Sequence, residues 1–332
     1  MHEETVELFN ALVDVRAAAL DALRNGLARE QFTEVSTSSL VNIAGSCEDP
    51  DLSFRLGYFG KEAYLSQSAQ LQLEPLVIRL GRKVFSINSS FRAENFHDPE
   101  KKDRMLSEFT LVEPEGPCSD DNPANGLRDL EDLIERVIRN ASRLVANTQE
   151  KNVRTLGGDP ASIEETVAKA FKRITYDEAL EVLKANRIET EENGDLGIRG
   201  ERAILRENGQ AATLVSHHPA NLKFFNLKKA PNGERAYSVD LLLPPMGEVV
   251  GGGVREESLQ QLKKNLASSK VGIFLRERGV DPNAPFAQYF SMFDSDRVCL
   301  RAGCGIGFER FVAFLIGSSD IIRTVFHRTL VP

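Results

Sequence analysis

Side chains able to hold a nucleotide are concentrated in residues 86–115. Arg92 and Glu94 end one predicted strand, and Phe109 and Glu113 alternate along the next. A guanidinium can bind a phosphate through two hydrogen bonds, a carboxylate can accept from an amino-purine edge, and an aromatic ring offers a stacking face. Antiparallel pairing directs alternate side chains to one face. The segment therefore predicts a nucleotide site, with a surface hairpin held by ion pairs as the alternative.

A second segment, residues 301–310, reads RAGCGIGFER and runs from a glycine-rich strand into an apolar helix. Glycines allow a ligand to approach the backbone closely. Arg310 falls in the first helical turn, where the helix dipole favours anions rather than cations. We therefore expect Arg310 to face a bound anion.

Two acids end neighbouring predicted strands farther along the chain. Asp240 lies in YSVDLLL, and Glu248 precedes the glycines of GEVVGGGVR. Two carboxylates together with phosphate oxygens can hold Mg²⁺. The adjacent His217 and His218 are a weaker metal candidate, because consecutive side chains on extended backbone point to opposite faces.

FRAE followed by EF, together with GxGxGFER, resembles motifs 2 and 3 of class II aminoacyl-tRNA synthetases. The intervening residues are most similar to asparaginyl-tRNA synthetase, and the resemblance extends over about residues 30–328. It implies that ATP is a substrate and Mg²⁺ a cofactor. For ATP, it implies that Arg92 holds the α-phosphate and that Glu94 binds the adenine amino edge. Phe109 and Arg310 would contact the two faces of adenine, and Arg104 and Arg310 would bind the distal phosphates. Asp240 and Glu248 would hold the Mg²⁺ ion.

For the amino acid, the resemblance implies four groups around the α-ammonium and two around the side chain. The first four are Glu48, Ser68, Gln70 and Glu113, and the two side-chain readers are Glu74 and Arg255. A carboxylate at Glu74 repels aspartate and accepts from an amide NH₂, so asparagine is the better expectation. Two structural alternatives stay open. Ser68 and Gln70 can begin a helix, and Glu74 can form an ion pair with Arg255.

The implied reaction joins the amino acid carboxylate to the α-phosphate, giving an aminoacyl adenylate and pyrophosphate. Arg92 and Arg310 are the predicted catalytic residues, acting through position and charge without an acid or a base. Two positions depart from the family pattern. Met105 stands where a histidine is usual beside the loop arginine, and Ser38 stands where motif 1 usually has a proline.

The composition indicates a protein with a large core. The chain has 332 residues, 41% of them hydrophobic, and a net charge of −8. It has no apolar run of transmembrane length and begins with an acidic segment, so we expect a cytoplasmic protein without a membrane partner. Its four cysteines lack CxxC spacing and are expected to be reduced and mostly buried.

The resemblance implies one α+β domain over residues 1–332, with a mixed, mainly antiparallel sheet flanked by helices. Within it, residues 1–40 are expected to form a dimerisation helix and motif 1, giving a homodimer. Residues 117–210 are expected to be a mostly helical insertion without chemistry. Apolar spacing predicts its helices near residues 127–144, 163–171 and 176–183, with a loop at 189–200. No segment fits an anticodon-binding domain.

These features favour a ligase that adenylates asparagine or aspartate and passes the acyl group to an acceptor other than tRNA. Ammonia is one such acceptor, as in the similar archaeal asparaginyl-tRNA synthetase-related asparagine synthetase, and a small amine is another. Ordinary tRNA charging is disfavoured by the acidic chain. Transfer to tRNA or protein without anticodon recognition is an alternative, using Lys101, Lys102 and Arg104. A regulatory paralogue that binds ATP without turnover is the third hypothesis.

Overall fold

The computed structural model describes residues 3–46, 49–94, 103–293 and 298–326. Within these residues the strands build one sheet of eight strands and one of three. In chain order, the strands are β1 (Thr33–Glu34), β2 (Leu40–Val41), β3 (Arg55–Tyr58), β4 (Lys61–Leu65), β5 (Val84–Phe91), β6 (Glu108–Pro117), β7 (Lys172–Thr175), β8 (Thr213–Ser216), β9 (Ser238–Leu243), β10 (Gly247–Arg255) and β11 (Arg301–Gly307).

The large sheet has the spatial order β1-β5-β6-β11-β10-β9-β8-β7. Its two outermost pairs, β1 with β5 and β7 with β8, are parallel, and the remaining pairs are antiparallel. The predicted mixed, mainly antiparallel sheet is therefore confirmed. The small sheet contains β2, β4 and β3. The β3–β4 hairpin turns at Phe59 and Gly60, both with positive φ, as the favoured two-residue hairpin turns require.

The helices, in chain order, are α1 (Glu3–Arg29), α2 (Gln70–Leu80), α3 (Pro123–Thr148), α4 (Glu150–Thr155), α5 (Pro160–Ala168), α6 (Tyr176–Ala185), α7 (Gly197–Glu207), α8 (Leu259–Ser268), α9 (Lys270–Glu277), α10 (Ala287–Phe290) and α11 (Phe308–Leu315). Helices α1, α3 and α11 contribute to the main core beneath the large sheet, with Leu23, Ile134 and Phe311 fully buried there. The first part of the predicted insertion therefore packs as part of the main core.

Side-chain alternation gives the large sheet two different faces. Val112, Ile306 and Val250 occupy paired positions and point into the core. The residues that alternate with these along each strand point to the opposite side of the sheet. They form what we call the open face, which is polar and rich in glycine. The open face carries Ser86, Asn88, Glu113, Glu115, Gly303, Gly305, Gly251, Gly253 and Asp240.

The predicted helices of residues 117–210 are confirmed, and one prediction there is wrong. Thr175 caps α6 with a capping box, in which its side chain and that of Glu178 each bond the other residue's backbone N–H. The loop expected at 189–200 ends early, because α7 begins at Gly197. Among the helices of the described residues, none is long and apolar enough to cross a bilayer.

Candidate active site

The structure brings three of the four predicted α-ammonium residues together where α2 begins above the open face. Ser68 Oγ donates to Glu113 Oε1 at 2.5 Å, and the Ala69 N–H donates to Glu113 Oε2 at 2.8 Å. The Gln70 N–H donates to Ser68 Oγ at 3.2 Å, as a residue at a helix start commonly does. Glu48, the fourth, lies outside the described residues. Buried carboxylate, hydroxyl and amide oxygens suit a dehydrated ammonium.

The predicted side-chain reader Glu74 accepts hydrogen bonds from several of the protein's own donors. Its Oε1 accepts from Asn226 Nδ2 at 2.6 Å. Its Oε2 accepts from Tyr289 Oη at 3.0 Å and from Arg301 Nε at 2.8 Å, and Arg301 Nη2 makes a further contact. Glu74 and Arg301 have no exposed surface. Burial together with Glu74 raises the pKa of Tyr289 well above its usual range.

The second reader, Arg255, has a different partner. Its Nε lies 3.1 Å and its Nη2 2.9 Å from oxygens of Glu115. Burial raises the pKa of Glu115, and Arg255 opposes this rise. Glu74 and Arg255 therefore belong to two separate ion pairs among the described residues, so the ion pair between them that the sequence allowed is wrong.

The two ion pairs lie side by side and form a buried quartet of Glu74, Glu115, Arg255 and Arg301. Arg255 and Arg301 are directly opposite each other on β10 and β11. Burial lowers the pKa of Arg301, but Glu74, Tyr289 and Glu115 together outweigh this effect and raise it. The sequence analysis missed Arg301, Glu115 and Asn226. The signal available for Arg301 and Glu115 was their alternation with glycines and with Glu113 on predicted strands.

One end of the open face carries Arg92 and Phe109, two of the predicted ATP residues. The Arg92 guanidinium carbon lies 5.3 Å from the centroid of the Phe109 ring, a cation–π distance. Arg92 is anchored through its backbone N–H, which donates to Ser107 O at 2.9 Å. Glu94 follows β5 and is half-buried. The predicted arginine, carboxylate and aromatic ring thus share one end of the β5–β6 pair.

Arg310 and Arg104 converge on Glu248 and Glu201. Arg310 Nη1 donates to the Glu248 carbonyl at 2.8 Å and lies 3.6 Å from the Glu248 carboxylate. Arg104 Nη2 donates to Glu201 Oε2 at 2.7 Å, and this same oxygen accepts from the Glu248 N–H at 3.2 Å. Glu201 belongs to α7, so the segment predicted to carry no chemistry reaches the site. Burial raises the pKa of Glu201, and Arg104 opposes this rise.

The predicted metal ligands Asp240 and Glu248 lie on either side of Gly251. A Cβ on Gly251 would lie 2.8 Å from Glu248 Oε1 and 3.4 Å from Asp240 Oδ1. Asp240 also accepts from Lys223 Nζ at 2.6 and 2.7 Å. His218 Nε2 lies 3.1 Å from Asp240, and burial lowers the His218 pKa well below its usual range.

These neighbours define how a metal ion fits. Mg²⁺ prefers oxygen ligands, and two carboxylates together with phosphate oxygens can supply them. Asp240 and Glu248 therefore fit this ion, and Asp240 would be shared between the ion and Lys223. Burial lowers the Lys223 pKa, but Asp240 and Glu248 more than offset this and raise it. Within residues 3–46, 49–94, 103–293 and 298–326, no group of three or more His, Cys, Asp or Glu side chains is placed to hold a metal ion.

Glycines line the open face between the Ser68–Glu113 cluster and the Arg310–Glu248 contact. Gly305 has only ordinary contacts at the position of a Cβ, the nearest at 3.8 Å, and Gly307 and Gly251 are partly exposed. This leaves glycine backbone without side chains between the Ser68–Glu113 cluster and Arg310 and Glu248. The arrangement can hold a cation at one end and an anion-rich group at the other.

Comparison with known proteins identifies relatives of this arrangement. Residues 6–328 match the family model of the class II tRNA synthetases (D, K and N). The asparagine–tRNA ligase of Pyrococcus abyssi is 32% identical over 324 residues, which are 96% of this chain and 68% of that protein. The corresponding ligase of Desulforamulus reducens is 30% identical over 318 residues, covering 95% of this chain and 68% of that protein.

Solved structures agree with the sequence relatives. Asparaginyl-tRNA synthetase from Pyrococcus horikoshii complexed with asparaginyl-adenylate superposes with a TM-score of 0.81 at 30% identity, covering 95% of this chain and 67% of that one. The Entamoeba histolytica enzyme in complex with asparaginyl-adenylate gives a TM-score of 0.75 at 26% identity, with 95% and 66% coverage. The chain thus spans about two thirds of the length of these relatives.

Proposed function

Because this chain belongs to the class II tRNA synthetase family that contains the D, K and N enzymes, and is an ATP-dependent ligase of that family, we propose that it activates asparagine or aspartate as an aminoacyl adenylate on its open face. The observation that carries the proposal is the arrangement of the open face. It has an ammonium-binding cluster of Ser68 and Glu113 at one end, Arg310 at the other and glycines between.

In the proposed reaction, Glu113 and Ser68 hold the amino acid by its ammonium group. The free carboxylate then attacks the α-phosphate of ATP held by Arg92, one P–O bond forms, and the bond to pyrophosphate breaks. Arg310 and Arg104 stabilise the negative charge that moves onto the leaving pyrophosphate. Each group acts by position and charge, so no side chain needs to transfer a proton.

Mg²⁺ is proposed to bind at Glu248 and Asp240, where it supplies positive charge to the triphosphate. Lys223 contributes a second positive charge at Asp240. Arg310 donates to the backbone carbonyl of Glu248 and so fixes the backbone there. This keeps the Glu248 carboxylate on the open face of the sheet.

We propose the 3′ end of a tRNA as the acyl acceptor. The relatives reported above are asparagine–tRNA ligases, and they give no support to the acceptor expected from the sequence, ammonia or a small amine. They also favour catalysis over a non-catalytic regulatory role. Lys101 and Lys102, expected tRNA contacts, lie outside the described residues.

We also propose a homodimer and a cytoplasmic location, both typical of the family. The dimer proposal is supported by exposed apolar side chains on α1, among them Val6 and Val13. It is further supported by the position of β1 at the edge of the large sheet.

Amino-acid-dependent exchange of labelled pyrophosphate into ATP tests the proposal. We expect exchange with asparagine, aspartate or both, out of all twenty amino acids, and loss of exchange in Arg92→Ala. Aminoacylation of total tRNA then tests the acceptor, with formation of free asparagine from aspartate and ammonia as the competing product. Exchange with no amino acid would contradict adenylation, and exchange without charging of any tRNA would contradict the acceptor.

A further inference from the structure

We propose that Arg301 sets the side-chain selectivity of the site by cancelling the charge of Glu74, so that the pocket accepts an amino acid with a carboxylate side chain, aspartate, at least as well as asparagine. This inference rests on the proposed function and concerns its substrate. It reverses the preference for the amide that Glu74 predicts from sequence.

Glu74 Oε2 has no capacity left for a substrate amide. A carboxylate offers about four lone-pair sites. Asn226, Tyr289 and both Nε and Nη2 of Arg301 use four donors on its two oxygens. Three of these donors share Oε2 and one bonds Oε1, so an asparagine NH₂ group is left with only the second lone pair of Oε1.

The charge of the pocket follows from its ion pairs. Glu74 is balanced by Arg301 and Glu115 by Arg255, and all four side chains are at least 96% buried. An unpaired glutamate here would repel a substrate carboxylate strongly, because a buried like charge is poorly screened. With Arg301 in place the buried quartet is neutral, and that repulsion is removed.

The quartet also offers donors rather than acceptors. The bonds between Arg255 and Glu115 use Nε and Nη2 of the guanidinium, which leaves its Nη1 edge outside that pair. Arg301 Nη1 is buried and has no hydrogen-bond partner within the described part of the chain. Acceptor oxygens of a ligand complement such N–H groups. Asn226 Oδ1 is also buried without a partner there, and together with Glu74 Oε1 it is a group that favours an amide NH₂.

A charge series through the quartet decides between the two substrates. Glu74→Gln gives the quartet a charge of +1, Arg301→Met gives −1, and the double variant returns it to zero with side chains of similar volume. The measurement is kcat/KM in pyrophosphate exchange for aspartate and for asparagine. The KM for ATP is measured in parallel.

We expect the wild-type ratio of aspartate to asparagine to be one or higher. The ratio should rise about tenfold in Glu74→Gln, fall about tenfold or more in Arg301→Met, and return near the wild-type value in the double variant, while the KM for ATP stays within about threefold. Arg301→Met alone leaves a buried carboxylate unpaired and can therefore misfold. The double variant removes that carboxylate charge and serves as the control for misfolding.

Three results would overturn the inference. A wild-type preference for asparagine of about a hundredfold would show that the amide is read despite Arg301. An equal loss for both amino acids across the series would make Arg301 only structural. No exchange with either amino acid in the wild-type protein would contradict the proposed function itself, and the inference with it.

Discussion

At the scale of single residues, the open face depends on positions where a side chain is missing. Glu115 lies directly over Gly303, so that a Cβ there would fall 1.8 Å from Glu115 Oε2 and 2.6 Å from the Pro114 carbonyl oxygen. Real Cβ atoms do not approach oxygen that closely, and the strand backbone has little freedom to move. Glycine at 303 is therefore what allows Glu115 to reach Arg255.

We expect Gly303→Ala to displace Glu115 and break its ion pair with Arg255, because the added methyl group takes the place of the carboxylate. Loss of one partner of a buried pair costs about 3–5 kcal/mol of unfolding free energy. Chemical denaturation measures this loss, and Gly305→Ala is the matched control, since its Cβ meets nothing closer than 3.8 Å. Equal stability of the two variants would contradict the prediction.

The cysteines support a second prediction at this scale. Burial raises the pKa of both Cys118 and Cys304 to about 12. At pH 8 only about one such thiol in 10⁴ is a thiolate, which is the reactive form. Both are thus expected to resist iodoacetamide in the native protein and to react in guanidinium chloride, as located by mass spectrometry. Native labelling of Cys118 at the rate of free cysteine would refute this expectation.

At the scale of elements, α7 links the 117–210 region to the phosphate end of the site. The sequence placed a loop over its first turn, because Gly197 and Gly200 weaken the helical pattern. Glu201 nevertheless projects from α7 to Arg104 and to the Glu248 N–H. Gly247 makes room for it, since a Cβ at that position would lie 2.0 Å from Glu201 Oε2.

We expect Glu201→Gln to raise the KM for ATP about tenfold while leaving the KM for the amino acid unchanged, because Arg104 loses the charge that positions it. The estimate corresponds to about 1.4 kcal/mol, within the range for one charge-assisted hydrogen bond. Steady-state pyrophosphate exchange measures both constants. Glu207→Gln, an exposed change on the same helix, is the control. An unchanged KM for ATP in Glu201→Gln would rule out this positioning role.

At the scale of the whole molecule, α1 has apolar residues on two sides. Leu12, Val15 and Leu23 face the core. Val6, Phe9 and Val13 are 40–49% exposed. Several exposed apolar side chains close together along one helix are typical of a protein interface.

We expect Val6→Glu combined with Val13→Glu to convert the proposed homodimer into a monomer, because two buried charges at an interface are not compensated. Light scattering after size-exclusion chromatography measures the mass. Ile273→Glu on α9, where the side chain is 44% exposed, is the control for adding a surface charge. A wild-type mass equal to one chain would contradict the dimer before any variant is made.

The sequence by itself determined the β5–β6 pair and the glycine-rich strand that leads to Arg310, whereas the Ser68–Glu113 cluster was implied by the resemblance to the family. These features rest on local patterns, because alternation along a strand and the residue types at a helix start act over a few positions. Apolar spacing likewise predicted α3, α5 and α6, and the resemblance implied the mainly antiparallel sheet.

Only the tertiary structure decided which charges neutralise each other. Glu74 and Arg255 look like partners in sequence, yet Arg301 is 227 residues from Glu74 and reaches it because β11 lies between β6 and β10. Lys223 at Asp240 and Glu201 at Arg104 are brought together in the same way. Burial makes each charge require a partner, but the identity of that partner depends on strand order and helix position, which no local spacing encodes.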